Sequence, residues 1–333
     1  MGALLSRRVV ALVAVLFGLA AIVFVLQALI PSDPARAMVG ASASQKVVEA
    51  KRHELGYDKP LPERFVKYMD RLAHGDLQDS LRTRNPVTED LGTFAPATLE
   101  LALFSAFLAA VIGLGFALLL VGGGRAVRIA RLALIGGASV PAFLVGLVLI
   151  LVFYSGLHWL PASGRVDDSL VLPGGPTKLL LIDSLLHAQP NLFFSALGHL
   201  ILPAMTLAML PGLAIARTLH TTLEQVLRED YVRTARAKGL KERTVLIRHA
   251  LRNSAGPALT MGGLQFGLLL GGIVVVEQVF SWPGLGLYLN QSIAYSDYPA
   301  ITGTTLLLGT AYVIVNFTVD VAQAWADPRI RTV

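Results

Sequence analysis

VVALVAVLFGLAAIVFVLQALI, residues 9–30, contains one glutamine and no charged residue. A helix of about 22 residues is roughly 33 Å long, enough to cross a hydrocarbon core about 30 Å thick. The rest of the chain continues in this vein. Of 333 residues, 54% are hydrophobic and 15% charged, against about a quarter charged in a soluble domain. Mean hydropathy is +0.62. Too little polar surface is available to cover a water-soluble globule, so lipid must supply part of the solvent. Arg7 and Arg8 precede the stretch, and Ala35-Arg36-Ala37 follows it like a small-residue cleavage site. A secretory signal shares that layout, but its apolar region is about 7–15 residues long. The length favours a retained helix over a cleaved signal.

Five further stretches are long and apolar enough to span: about 99–121, 132–154, 197–215, 257–276 and 301–324. The expected fold class is an all-α polytopic membrane protein with about six transmembrane helices. The expected organisation is an amino terminus 1–8, helix 1 at 9–30, an outer segment 31–98, a core 99–325 and a tail 326–333. Lys and Arg set the orientation. Residues 1–8 carry two, 122–131 three, 217–252 nine against four acids, and the tail two. Residues 155–196 carry only Arg165 and Lys178 against three Asp, and 281–300 carry none. The long segment 31–98 balances ten bases with ten acids. Both termini and the even-numbered connections are therefore expected in the cytoplasm. Basic clusters confined to short connections argue against nucleic acid. The absence of cysteine excludes disulfides and thiolate chemistry.

Two extramembrane pieces stand out. In 31–98, Phe65, Val66, Met69 and Leu72 have helical spacing and predict an amphipathic helix over 62–72. In 217–254, one helix is expected over 221–238. Gly239 then sits where a left-handed cap belongs, and a second helix follows over 242–253. Gly256-Pro257 should break or kink the chain before the fifth span. The product is a cytoplasmic helix–turn–helix elbow, slim at Ala235 and Ala237. An interfacial hairpin lying on anionic lipid would have the same composition.

At this point the residues resemble a known family. Glu229-Asp230-Tyr231-Val232-Arg233-Thr234-Ala235-Arg236-Ala237-Lys238-Gly239-Leu240, continued by Arg248-His249-Ala250-Leu251-Arg252-Asn253 and Pro257, resembles the coupling loop of the dipeptide/oligopeptide/nickel permeases of ABC importers. Gly75-Asp76-Leu77, Pro86-Val87, Ser139-Val140-Pro141-Ala142-Phe143, Leu160-Pro161-Ala162-Ser163-Gly164, Ser281-Trp282-Pro283-Gly284-Leu285-Gly286, Asp297-Tyr298-Pro299 and Asp327-Pro328-Arg329 follow the family's order. The long outer segment resembles that of the first of its two permease partners. Gln78-Asp79 and Lys241 depart from the family pattern, and Lys241 gives a weaker cap to the second short helix. The resemblance implies a type I ABC importer permease fold. It also implies a second permease, two cytoplasmic ATPase subunits and an external solute-binding protein as partners, besides membrane lipid. The implied cargo is small peptides, with nickel chelates, glutathione and other small solutes as alternatives. It assigns ATPase coupling to Glu229, Asp230, Tyr231, Arg233, Ala235, Ala237, Gly239, Arg248 and His249. A non-transport membrane scaffold would not need such an elbow.

No phosphate-binding loop is present: Gly174-Gly175-Pro176-Thr177-Lys178 lacks the spacing. The chain is expected to be no enzyme and to bind no cofactor, ATP and magnesium being used by the partner subunits. Seven histidines show no metal-ligand spacing on an expected helix, so no metal site is expected. Polar groups at membrane depth are candidates for a solute path. Asn316 and Asp320 share a helix face, and Glu277 ends the fifth span beside the turn at Trp282. Each has a structural alternative: Glu100, which begins the second span, and Asp320 fall at interfaces where they cap or snorkel, the reading favoured for Asp320, and Glu277 divides between outer gate and packing. Gly263, Gly267 and Gly271 recur every fourth residue and permit close helix approach.

The charge asymmetry makes a direct prediction. Single cysteines placed at Ser80, Ser169 or Ser292 should react with an impermeant thiol reagent added outside sealed cells, and those at Thr244 or Ser254 should not. External labelling at Thr244 would invert the topology.

Overall fold

The computed structural model describes residues 2–29, 43–56, 58–122, 140–170 and 174–326, with residues 36, 39, 40, 127 and 129 from the segments between. The first half of the expected third span, including Ser139, lies outside the described residues. So do Arg125, Arg128, Arg131, Ala35, Ala37, the tail with Asp327-Pro328-Arg329, and the Asp320 side chain. Regular structure among the described residues is helical throughout, with one isolated antiparallel bridge between Asp79 and Pro86. Five helices are long and apolar enough to cross a membrane, and a shorter apolar helix, Ala142–Gly156, stands where the third span was expected.

The chain divides into two compact units. The first comprises Met1–Pro96 and Gly284–Val313. It holds α1 (Gly2–Leu29), α2 (Gln45–Leu55), α3 (Leu61–Ala73), the start of α4 (Val87–Val121), α10 (Leu285–Ala294) and the start of α11 (Tyr298–Ala326). Helix α3 is the expected amphipathic helix, but its buried face runs through Phe65, Tyr68, Met69 and Leu72, while Val66 is 67% exposed. Val66 lies about 100° from Phe65 around the helix, far enough to leave the packed stripe. Phe65 meets Phe24 and Phe17 of α1 with ring centroids 5.2 and 6.1 Å apart.

The end of this unit's extramembrane segment is pinned by polar side chains. Asp297 is fully buried; its carboxylate accepts hydrogen bonds from Ser80 Oγ at 2.5 Å, the Arg82 amide at 3.2 Å and the Ala300 amide at 3.3 Å. The last bond caps α11, whose N-terminal amides otherwise lack acceptors. Asp90 accepts from the hydroxyls of Thr83 and Tyr288. Burial, reinforced by the Asp90 carboxylate, pushes the Tyr288 phenol well above its ordinary range. Around this network pack Val87, Leu91, Leu285 and Ala300.

The second unit comprises Ala97–Pro283 and Ile314–Val333. It contains the remainder of α4 and α11, α5 (Ala142–Leu149) continuing as a π-helical Ile150–Gly156, and α6 (Leu180–Leu186). It also contains α7 (Pro190–Val226), α8 (Asp230–Ala237) and α9 (Glu242–Val279). Helices α7 and α9 form the most extensive pairing, and their core joins Leu200, Leu207, Leu269, Ile273, Val276 and Phe280.

Two sequence expectations are corrected here. Helix α7 runs on to Val226, so residues 221–226 belong to the fourth span and the first elbow helix is only α8. Gly256-Pro257 does not break the chain, because α9 is continuous from Glu242 to Val279 with Pro257 inside it. A π-helical stretch, Val245–Leu251, precedes the proline. There, Asn253 Nδ2 and Ser254 Oγ donate to the carbonyls of His249 and Ala250; the carbonyl that Pro257 deprives of its helical donor is that of Asn253. Of the in-phase glycines, Gly263 is half-buried, Gly267 buried and Gly271 exposed in this chain. Close helix approach within the chain is made at Gly212 and Gly113. A Cβ on Gly212 would lie 2.8 Å from Ile112 Cγ2, and one on Gly113 would lie 2.6 Å from Ile215 Cγ2.

Ser80, Ser254 and Ser292 are buried, which leaves Ser169 and Thr244 as the usable labelling reporters. For packing, Gly212→Ala should destabilise the purified chain by about 1–3 kcal/mol through overpacking. Gly271→Ala, where a Cβ meets nothing within 4 Å, should stay within about 0.5 kcal/mol. Thermal unfolding of both variants in detergent checks the pair.

Candidate functional site

The elbow is the short helix α8 joined by two short connections to the long helices α7 and α9. Helix α7 ends at Val226, and Glu229, with extended backbone, starts α8. Asp230 stands in the first turn of α8 and pairs with Arg233 at 3.3 Å; an acid there suits the helix dipole. At the other end the Gly239 amide donates to the Arg236 carbonyl at 2.9 Å, and the Leu240 amide to the Ala235 carbonyl at 3.4 Å. Gly239 has φ +77°. These two bonds and that left-handed residue make a Schellman cap, which turns the chain sharply into α9. Lys241 caps α9 with backbone alone, without a side-chain bond.

Three contacts lock the arms of the elbow together. Val232, Ala235 and Val245 form a small buried core with Val226 and Leu227 packed against it. Arg236 reaches back across the turn, donating from Nε to Glu242 at 2.7 Å and from Nη1 to the Leu227 carbonyl at 3.3 Å. Asn253 Nδ2 donates to Tyr231 Oη at 2.9 Å. The Arg236–Glu242 pair crosses a turn, so helical spacing could not have revealed it. Alternation of Val232 and Ala235 at i, i+3 was a legible signal that Ala235 faces inward.

The structure therefore separates the sequence candidates. Tyr231, Arg233, Ala237, Gly239 and Arg248 are exposed on the elbow, with Glu229 and Asp230, and His249 is half-buried. Ala235 is 7% exposed and packs against the chain itself. It offers no surface to a partner, and a larger residue there would damage the elbow directly.

At the far end of α9 from the elbow, the candidate path residues are enclosed. Glu277 is fully buried and accepts from Thr98 Oγ1 at 2.6 Å. Trp282 is 1% exposed; its indole Nε1 donates to the Ala97 carbonyl at 3.0 Å and its amide to the Glu277 carbonyl at 2.9 Å. In this conformation both hold the turn after α9 and neither meets solvent. Glu100, expected to cap or snorkel, does cap: its carboxylate accepts from the Leu181 amide in the first turn of α6 at 2.7 Å, and from Arg165 Nη2 at 2.5 Å. The Arg165 guanidinium also lies 5.9 Å from the Trp282 ring centroid. Asn316 is half-buried on α11. Beside it, Val319 and residues of α4, α7 and α9 line an open, apolar cavity of about 600 Å³ in this unit.

A membrane core carrying a rigid elbow between two long helices is the architecture of one group of transport proteins, and the comparisons bear on it directly. Residues 97–332 match the family described as binding-protein-dependent transport system inner membrane component. Residues 1–94 match that family's N-terminal region. The chain belongs to this family of permeases. Its relatives include the probable D,D-dipeptide transport system permease protein DdpB of Escherichia coli K12, 44% identical over 98% of this chain and 97% of the relative. The di/tripeptide transport system permease protein DppB of Pseudomonas aeruginosa is 42% identical over 98% of both chains. The glutathione transport system permease protein GsiC of Pectobacterium atrosepticum is 36% identical over 98% of this chain and 97% of that one. This permease is thus a multi-pass membrane component of a binding-protein-dependent importer, with the all-helical fold the sequence led to expect.

Proposed function

We propose that this permease is one of two membrane subunits of an ATP-driven importer that carries small peptides from an external binding protein into the cytoplasm. Relatives named for D,D-dipeptide, di/tripeptide and dipeptide transport support the cargo class. A relative named for glutathione, itself a small peptide, supports the second reading. ATP and magnesium belong to two separate ATPase subunits in this reading, and the elbow faces them in the cytoplasm with both chain termini. Gly271, exposed on α9, is then free to face the second permease.

The observation that carries the mechanism is the continuity of α9. The second arm of the elbow and the fifth span are one helix of 38 residues. A push on the elbow is delivered to the spans as a tilt, because the buried Val232–Ala235–Val245 core and the Arg236–Glu242 pair prevent the elbow from folding up under load. When the ATPase pair closes around ATP, α7 and α9 move with the elbow, and the path between the two permeases changes the side it opens to. The chain's own residues supply no bond-making chemistry. They convert a displacement at residues 229–254 into a displacement at the opposite membrane face.

Two substitutions test this. Gly239→Val places a β-branched residue in a left-handed conformation, at a local cost of about 1–2 kcal/mol, and misaims α9. Its missing Cβ would meet nothing within 4 Å, so Gly239→Asn, which tolerates that backbone, should retain function. Ala237→Asp adds a charge on the exposed face and leaves the elbow's core alone. Gly239→Val and Ala237→Asp should still insert and pair with the second permease, yet lose solute-stimulated ATP turnover or release the ATPases on purification. Normal stoichiometry with normal stimulated turnover in both would remove residues 229–254 from coupling and favour an elbow that lies on lipid.

A further inference from the structure

A second site lies in the unit formed by residues 1–96 and 284–313. Where α1 ends, it meets α3 and the start of α11 around a cavity of about 80 Å³, several times the space one water requires. Its lining is cationic: Lys59, Arg64, Lys67 and Arg71 against Glu63 and Asp76. Glu63 already pairs with Lys59. The Asp76 carboxylate accepts from the Gln78 amide. Arg64, Lys67 and Arg71 fall at i, i+3 and i+7 of α3, along one edge of its buried stripe. Lys67 and Arg71 have no carboxylate partner among the described residues.

One buried polar group in the lining is unsatisfied. Tyr68 is 8% exposed and its hydroxyl has no hydrogen-bond partner. Burial raises its pKa, and the neighbouring Thr302 hydroxyl and Arg71 lower it in part, so the phenol is a donor. Thr302 Oγ1 accepts from Gln27 Nε2 at 2.7 Å, and no hydrogen bond forms between it and Tyr68 Oη. A buried, unpaired hydroxyl is costly, and an anion in the cavity would relieve it together with the two unpartnered cations.

The surroundings identify the kind of anion. Leu29 at the end of α1 is 73% exposed, and Leu61 and Val66 on α3 are 53% and 67% exposed. Helix α1 is among the spans, and little of it is buried within the chain. Exposed apolar surface at the end of a membrane helix, beside a basic pocket, matches a molecule with a phosphate head and hydrocarbon tails.

We propose that this pocket binds the phosphate head of an anionic phospholipid where α1 leaves the membrane, fixing α3 against α1 and α11. Lys67 and Arg71 supply the charge, and the Tyr68 hydroxyl donates to a phosphate oxygen. The test is native mass spectrometry of the intact importer complex, released from detergent and titrated with phosphatidylglycerol, phosphatidylcholine or glycerol 3-phosphate. Phosphatidylglycerol should bind in preference to phosphatidylcholine. The double substitution of Lys67→Ala and Arg71→Ala should weaken its retention by roughly tenfold or more. Tyr68→Phe, which removes one oxygen and keeps the ring packing, should weaken it by a smaller factor. Glycerol 3-phosphate should neither bind measurably nor displace the lipid. Equal retention by wild type and the double variant would overturn the proposal, as would displacement by glycerol 3-phosphate, which would make the pocket a site for soluble anions.

Discussion

Hydrocarbon offers no partner to a backbone amide or carbonyl, and a span must therefore satisfy its own. Everything in this chain follows from that constraint. Its described spans are helices, and the helices outlast the membrane. At 1.5 Å per residue, the 37 residues of α7 and the 38 of α9 reach roughly 55 Å, nearly twice the hydrocarbon thickness. Both exceed what a span requires, and the start of α9 is itself the second arm of the elbow. The chain needs no hinge between the part that spans and the part that a partner can touch. Prolines inside α4, α7 and α9 are accommodated without ending the helices.

That same surplus explains what the sequence revealed and what it hid. Apolar runs located the spans, because hydrocarbon punishes every charge in them. They could not locate the ends. Helix α4 starts at Val87 rather than near residue 99, and α7 extends to Val226. A polar helical turn in water leaves no trace in hydropathy. Gly256-Pro257 carried a local signal for a break or a kink, and α9 runs on through it from Glu242 to Val279.

At the site, backbone conformation was more legible than side-chain direction. Glycine adopts φ +77° without strain, and Gly239 has it. The small size of Ala235 suggested a docking surface, whereas its spacing from Val232 places it in the elbow's own core. Glu277 and Trp282 stand at the end of a span and invited a role in the solute path. In this conformation Thr98 and the Ala97 carbonyl, 179 and 185 residues away in sequence, enclose them. The pairing of Glu100 with Arg165 spans 65 residues. Such contacts depend on which helices become neighbours, and no local pattern encodes that.

The central claim is that α9 carries motion from the elbow to the opposite membrane face as a stiff rod. Spin labels at cysteines replacing Arg243 and Gln278 in this otherwise cysteine-free chain would sit near its two ends. The most direct measurement is their distance in the reconstituted importer, with and without ATP trapped in the ATPases. The account predicts one narrow distribution near roughly 50 Å, from about 35 residues at 1.5 Å each, unchanged between the two states while transport remains intact. A distance that shortens or splits on ATP binding would mean that α9 bends at Pro257 or in the π-helical stretch. The elbow's push would then be absorbed within the helix, contradicting the claim.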